Sequence, residues 1–243
     1  LEDSEEYMLV ETTLSSPPQE KRLRMSYEEF LEWADEDTHA EWVDGEVIVF
    51  MPKPRHQDLV TFLVTLLRLF VQFHRLGQVL TAPVEMKPTP TSNAREPDII
   101  FIAQENLARV TEDRIAGPAD LIVEVISGDS VARDRSDKFY EYQAAGVREY
   151  WLFDPRPGKE RADFWILDED GKYQPVPVGA DGVYHSTVIP GFWLRADWLW
   201  PDEKPDPQLT FAEIVGPERI IAALQPLIGQ SASARAANGE AKE

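Results

Sequence analysis

The chain has 243 residues, 43% of them hydrophobic, with seven tryptophans, no cysteine and a formal charge of −20 at pH 7. That length suffices for one sizeable core, and the missing cysteine excludes disulfides and thiolate metal sites, so any metal must sit on oxygen or imidazole. The acidity argues against a generic nucleic-acid binder with a basic surface and leaves only local or cation-assisted contact with a phosphate backbone.

Residues 1–24 read as a disordered acidic arm, since residues 1–20 hold six acids and no Lys or Arg. Ser26 and Glu29 form a capping box that opens a short helix through about Ala34. Glu41 to Phe50 reads as a hairpin, with Asp44-Gly45 supplying the turn. From His56 to Leu76 apolar residues recur at three and four (Leu59, Phe62, Leu63, Leu66, Leu67, Phe70, Phe73), and Gly77 falls where a helix-ending glycine belongs. This longest apolar stretch is broken by Thr61, Thr65, Arg68 and Gln72, short of the ~18 residues of a membrane span. No basic-then-apolar leader opens the chain. The expectation is a soluble, cytoplasmic protein without membrane contact.

Gln78 to Lys87 and Asp98 to Ile102 read as strands around a loop, and Glu105 to Ile115 as a connection of open type. Leu121 to Ile126 is a strand, Asp134 to Ala145 a helix stopped by Gly146, and Glu149 to Phe153 a strand. A strand–helix–strand run of this kind is a right-handed crossover that sets its two strands parallel. Ala162 to Leu167 pairs with Lys172 to Val178 across Asp170-Gly171, and Gly182 to Val188 is a further strand-like run. Trp193, Trp198 and Trp200 are expected to fold back on the core, although the surplus of Trp and Phe near 192–200 also suggests a homodimer surface. Leu209 to Leu227 holds a second helix, and Gly229 to Glu243 a frayed tail. The division expected is an arm (1–24), a main domain (25–200) and a C-terminal extension (201–243).

Asp98 heads an apolar strand, and Glu124 sits inside another among β-branched neighbours. Two acids on buried strands are costly unless they share a cation. A hard divalent ion such as Mg²⁺ takes a few carboxylates plus waters. The plainer alternative is that both acids pair with Arg95, Arg133 or Arg135. Lys138, on the helix after the Glu124 strand, suits orienting a water or offsetting phosphate charge, and equally suits a solvated face with Asp134, Asp137 and Glu141. Glu41 and Glu46 flank the hairpin turn as candidate accessory carboxylates, and His56 opens the long helix as a candidate ligand or phosphate contact. No Gly-rich phosphate loop, HExxH or GxSxG is present.

Pro97-Asp98, then Asp120 to Ser127 around Glu124, then Asp134…Lys138…Tyr142…Gly146 to Trp151, together with Met25 to Phe30, Glu41 to Glu46 and His56-Gln57, closely resemble the Uma2 family. These are restriction-endonuclease-like proteins of the PD-(D/E)XK superfamily, abundant in cyanobacteria. The resemblance covers about residues 25 to 155. It implies an α/β (mixed α+β) fold, a restriction-endonuclease-like mixed sheet flanked by helices, here with an N-terminal hairpin and C-terminal β-hairpin additions. It also implies Mg²⁺-dependent hydrolysis of DNA phosphodiesters, with Mn²⁺ as a substitute. Asp98 and Glu124 would be metal ligands and Glu41 an accessory carboxylate. The superfamily expects acid, any residue, lysine on one strand, whereas here Glu124 is followed by Val125-Ile126. Lys138 matches the family's own lysine and can send its amine back along the helix to the same point. A catalytically silent nuclease-fold binding or assembly module is the alternative, favoured by that departure and by the acidity.

Overall fold

A computed structural model of the chain describes residues 21–35, 38–49, 53–127 and 133–226. The expected arm over residues 1–20 and tail over residues 229–243 lie outside them. Residues 21–24, assigned from sequence to that arm, instead form strand β1 (Lys21–Arg24). Helix α1 (Tyr27–Trp33) follows, and its capping box is complete: Ser26 accepts from the Glu29 amide while the Glu29 carboxylate accepts from the Ser26 amide at 2.7 Å. β2 (Ala40–Val43) and β3 (Glu46–Val49) make the expected hairpin. Asp44 and Gly45 both take positive φ, as a two-residue turn matching strand twist requires. β1 adds to the far edge of β3, giving a small antiparallel sheet ordered β1-β3-β2.

Helix α2 (Pro54–His74) buries the apolar stripe seen in the sequence, Leu59, Phe62, Leu63, Leu66, Leu67 and Phe70 among it. It ends on Arg75, not on the glycine expected to close it. Arg75 turns left-handed and its amide reaches back to Val71 and Gln72. Gly77 has a different reason to be glycine: at φ +146° a Cβ there would lie 2.0 Å from the Ile102 carbonyl oxygen. It begins β4 (Gly77–Thr81), and the run expected as one strand is interrupted before β5 (Met86–Lys87).

The remaining elements are β6 (Ile99–Ala103), a 3₁₀ turn (Gln104–Arg109), β7 (Ile115–Ala116) and β8 (Leu121–Val125). A π-helical turn (Arg133–Asp137) leads into α3 (Lys138–Ala145), which stops at left-handed Gly146. Then come β9 (Glu149–Asp154), β10 (Arg161–Leu167), β11 (Tyr173–Pro175), β12 (Val183–His185), β13 (Trp193–Arg195), a 3₁₀ turn (Ala196–Leu199) and α4 (Pro207–Val215). Residues 217–226 are helical as well.

The main sheet has six strands in the order β11-β10-β9-β8-β6-β4. β8 and β9 are parallel, as the crossover through α3 demands, and every other pairing is antiparallel. This mixed sheet with helices on its faces is the architecture expected from sequence. Alternation sorts its side chains: Phe101, Val123, Trp151 and Phe153 pack with α2, whereas Ile100, Ile122, Tyr150 and Leu152 pack with Tyr142 of α3. The aromatic residues near 192–200 fold back on the core, Phe192 inside it and Trp193, Trp198 and Trp200 partly buried against it. Phe192 is wholly buried, its ring 5.2 Å from Phe70 and 6.1 Å from Trp151, and Trp193 stacks near Trp198. Among the described residues no helix is long and apolar enough to cross a membrane.

Candidate active site

The polar groups gather where β6 and β8 reach the end of the main sheet. Their antiparallel register pairs Ile99 with Val123, so the next step sets Asp98 opposite Glu124 on one face. Past the end of the ladder the Val125 amide has no strand partner. Asp98 supplies one: its Oδ2 accepts that N–H at 2.7 Å and lies 3.1 Å from Nε2 of His56, in the first turn of α2. Both side chains are buried.

Glu124 receives its partners from α3. Its Oε1 lies 2.9 Å from the Lys138 ammonium and accepts the Tyr142 hydroxyl at 2.7 Å, two residues one helical turn apart. Burial, and then the Glu124 charge, holds the Tyr142 phenol well above its ordinary range, so it remains a donor. Lys138 is also 2.9 Å from Oε1 of Glu41, and the other Glu41 oxygen accepts from Arg95 at 3.0 Å. Arg95 continues to Glu141 through two bonds of 2.6 and 2.8 Å. Burial disfavours its charge, but the Glu141 and Glu41 carboxylates outweigh that and raise its pKa.

Glu41 reaches this chain of charges because β2 docks on the segment before β6, with Trp42 and Ala94 exchanging both backbone hydrogen bonds at 3.0–3.1 Å. Glu46, the other turn-flanking acid, is not brought in. It pairs with exposed Arg24 at 2.8 Å. Among the described contacts no arginine sits between Asp98 and Glu124: Arg95 bridges Glu41 and Glu141, while Arg135 binds Asp154 and Asp163. The side chain of Arg133 lies outside the described residues.

One acid of the site was missed from sequence. Glu96 stands two residues before Asp98 ahead of β6, and that spacing was the available signal. It is 8% exposed, and its Oε2 has no hydrogen-bond partner among the described residues. Burial, followed by the charges of Glu41 and Glu85, pushes its carboxyl up to about 8, against a backbone hydrogen bond from Ala40 and the Lys138 charge. The shift favours its protonated form toward neutral pH.

Three carboxylates (Glu41, Glu124, Glu141) thus face two fixed cations, Arg95 and Lys138, while Asp98 is held by His56 and the Val125 amide. Among the described residues no three or more His, Asp or Glu side chains converge as a closed metal cage. What is present is an opposed carboxylate pair beside an excess of negative charge. Mg²⁺ suits such an open site, since it keeps most of its waters and takes one or two carboxylates.

Residues 27–197 match the Uma2 family model, described as "Putative restriction endonuclease". Among solved structures, one titled as "a putative nuclease belonging to DUF820" from Anabaena variabilis ATCC 29413 superposes with a TM-score of 0.56 at 18% identity. The match covers 72% of this chain and 97% of that one. At that identity the likeness is one of fold. No curated protein matches the chain.

Proposed function

Since the chain belongs to the Uma2 family, we propose that it is a divalent-metal-dependent endonuclease that hydrolyses phosphodiester bonds of DNA, acting in the cytoplasm through the 25–200 region. The observation that carries this reading is the opposition of Asp98 and Glu124 at the end of β6 and β8, with the Lys138 ammonium 2.9 Å from Glu124. Asp98 and Glu124 would hold Mg²⁺, or Mn²⁺ in its place, which when bound supplies Lewis acidity and a water of lowered pKa. The rest of the work belongs to the chain. The Val125 amide and His56 fix Asp98, and Tyr142 fixes Glu124. Glu41 and Glu124 together hold the Lys138 ammonium, aimed to offset charge gathering on the attacked phosphate. Glu41 acts on Lys138 and is a positioning residue. The superfamily's strand lysine is absent from this chain, but an amine from α3 meets the same carboxylate.

A second reading has its own support. Lys138 neutralises part of Glu41 and Glu124 without any metal, as it would in a silent module that kept the fold. Supercoiled plasmid incubated with Mg²⁺ or Mn²⁺ separates the two. The endonuclease nicks it, and Asp98→Asn and Glu124→Gln reduce the rate by at least about a hundredfold, the scale expected when a metal ligand or its supporting shell is lost. Cleavage at an undiminished rate in both variants rejects this site. No cleavage by the wild-type chain leaves the silent module.

A further inference from the structure

Two openings flank the charge network, and they differ in character. The one beside Arg95 and Glu141, about 330 Å³, also takes Asp44 into its wall. The other, about 320 Å³, ends on Asp98 and is bordered by His39, Gln57, Thr61, Thr65 and Arg68. On a chain of net charge −20, Asp98 is the only acid in its lining among the described residues. Gln57, Thr61, Thr65 and Arg68 recur at four, four and three along α2 and therefore share one face. At about 1.5 Å per residue they span roughly 16 Å, room for several phosphates of one strand.

Arg68 is set for such a role. Its Nε donates to the Val79 carbonyl at 3.3 Å, which fixes the guanidinium against β4, while its terminal amino groups have no partner among the described residues. Thr61 and Gln57 are exposed on the same face. Threonine, glutamine and arginine are among the side chains that contact phosphate oxygens and sugar in nucleic-acid complexes.

We propose that this face of α2 is a track for the sugar–phosphate backbone of a single DNA strand, delivering it to Asp98, with Arg68 and Thr61 as its principal contacts. The assignment rests on the nuclease reading above but concerns binding, so it is tested without the metal. A fluorescein-labelled 20-nucleotide DNA strand is titrated with the full chain in EDTA at several salt concentrations, and anisotropy is followed. Arg68→Gln should weaken binding at low salt and flatten the slope of log K against log salt by about 0.7, the contribution of one phosphate contact on a single strand. Thr61→Glu, which puts a negative charge on the track, should weaken binding about tenfold or more at low salt. Arg161→Gln, at an exposed arginine paired with Asp163 on β10, should bind like wild type. Melting temperatures should stay together, since both groove positions are exposed.

Wild-type binding by both groove variants overturns the track, as does a failure of the wild-type chain to bind DNA or tighter binding of an RNA strand of the same sequence. Loss of binding in the groove variants by a chain that never cleaves DNA keeps the track and removes the nuclease. Metal-dependent cleavage with the groove variants fully active does the reverse.

Discussion

Lys138 is the group on which the buried charges converge, so its removal is the sharpest test of the site. It is 5% exposed, and its ammonium lies 2.9 Å from both Glu41 and Glu124, themselves 1% and 2% exposed. Lys138→Met keeps the length and apolar stem of the side chain and deletes the charge. Two buried carboxylates then face each other without their shared cation. Breaking a buried ion pair in this way costs about 3–5 kcal/mol. For a domain of this size each kcal/mol lowers the melting temperature by about 2–4 °C, which gives a fall of roughly 6–20 °C. The assay is thermal unfolding by circular dichroism in EDTA near pH 7.5. Mg²⁺ should restore part of the loss, since an ion that binds only the folded form stabilises it. Adding Glu124→Gln should cost less in the Lys138→Met background than alone, with a coupling of about 1–3 kcal/mol. A melting temperature within about 2 °C of wild type, or additive single effects, would refute the shared-ammonium arrangement.

Two further outcomes follow from buried acids elsewhere in the network and in the core. Glu96 has its pKa pushed up to about 8 in the folded form against an ordinary value of 4.5, so across that window the folded form holds a proton that the unfolded form has released. Its contribution is therefore fully present below about pH 4.5 and lost as pH rises through 8, on the order of 5 kcal/mol in all. In metal-free buffer Glu96→Gln should flatten the fall in stability between pH 5 and 8. Parallel urea-derived pH profiles for the two proteins would contradict it. Glu149, wholly buried on β9, accepts from Trp151 Nε1 at 2.6 Å, the Tyr184 hydroxyl at 2.8 Å, and the Thr187 amide and hydroxyl at 2.8 Å each, which ties the segment after β12 to the main sheet. Glu149→Gln turns an amide N–H₂ toward those donors and should destabilise the chain by about 3 kcal/mol or more in chemical denaturation, while Asp98 and Glu124 keep their partners. A change below about 0.5 kcal/mol would show that these bonds do not hold the segment.

The elements themselves were legible in the chain, because helix and strand periodicity, capping and turn sterics act over a few residues. Ser26 and Glu29 announced α1, Asp44-Gly45 the hairpin, the Leu59 to Phe70 stripe α2, and Gly146 the end of α3. The run from Leu121 to Phe153 fixed two parallel neighbours, and β6 pairs with β8 so that Asp98 and Glu124 both fall one step past the Ile99–Val123 pair. Other features depended on docking between distant segments. Glu41 and Glu46 flank one turn and look equivalent in sequence, yet only the contact of Trp42 with Ala94 makes the first a buried partner of Lys138 and leaves the second on the surface with Arg24. Glycine at position 77 looked like a helix stop and proved to be a close approach to Ile102. Phe192 opened a run that looked like a surface for another chain and was itself covered by α2 and β9. Glu96 carried its two-residue spacing from Asp98 in plain view, but the burial that raises its pKa comes only with packing. Local sterics write the elements into the chain, whereas desolvation and charge depend on which surfaces meet, and that is settled only when the hairpin, the helices and the sheet have packed.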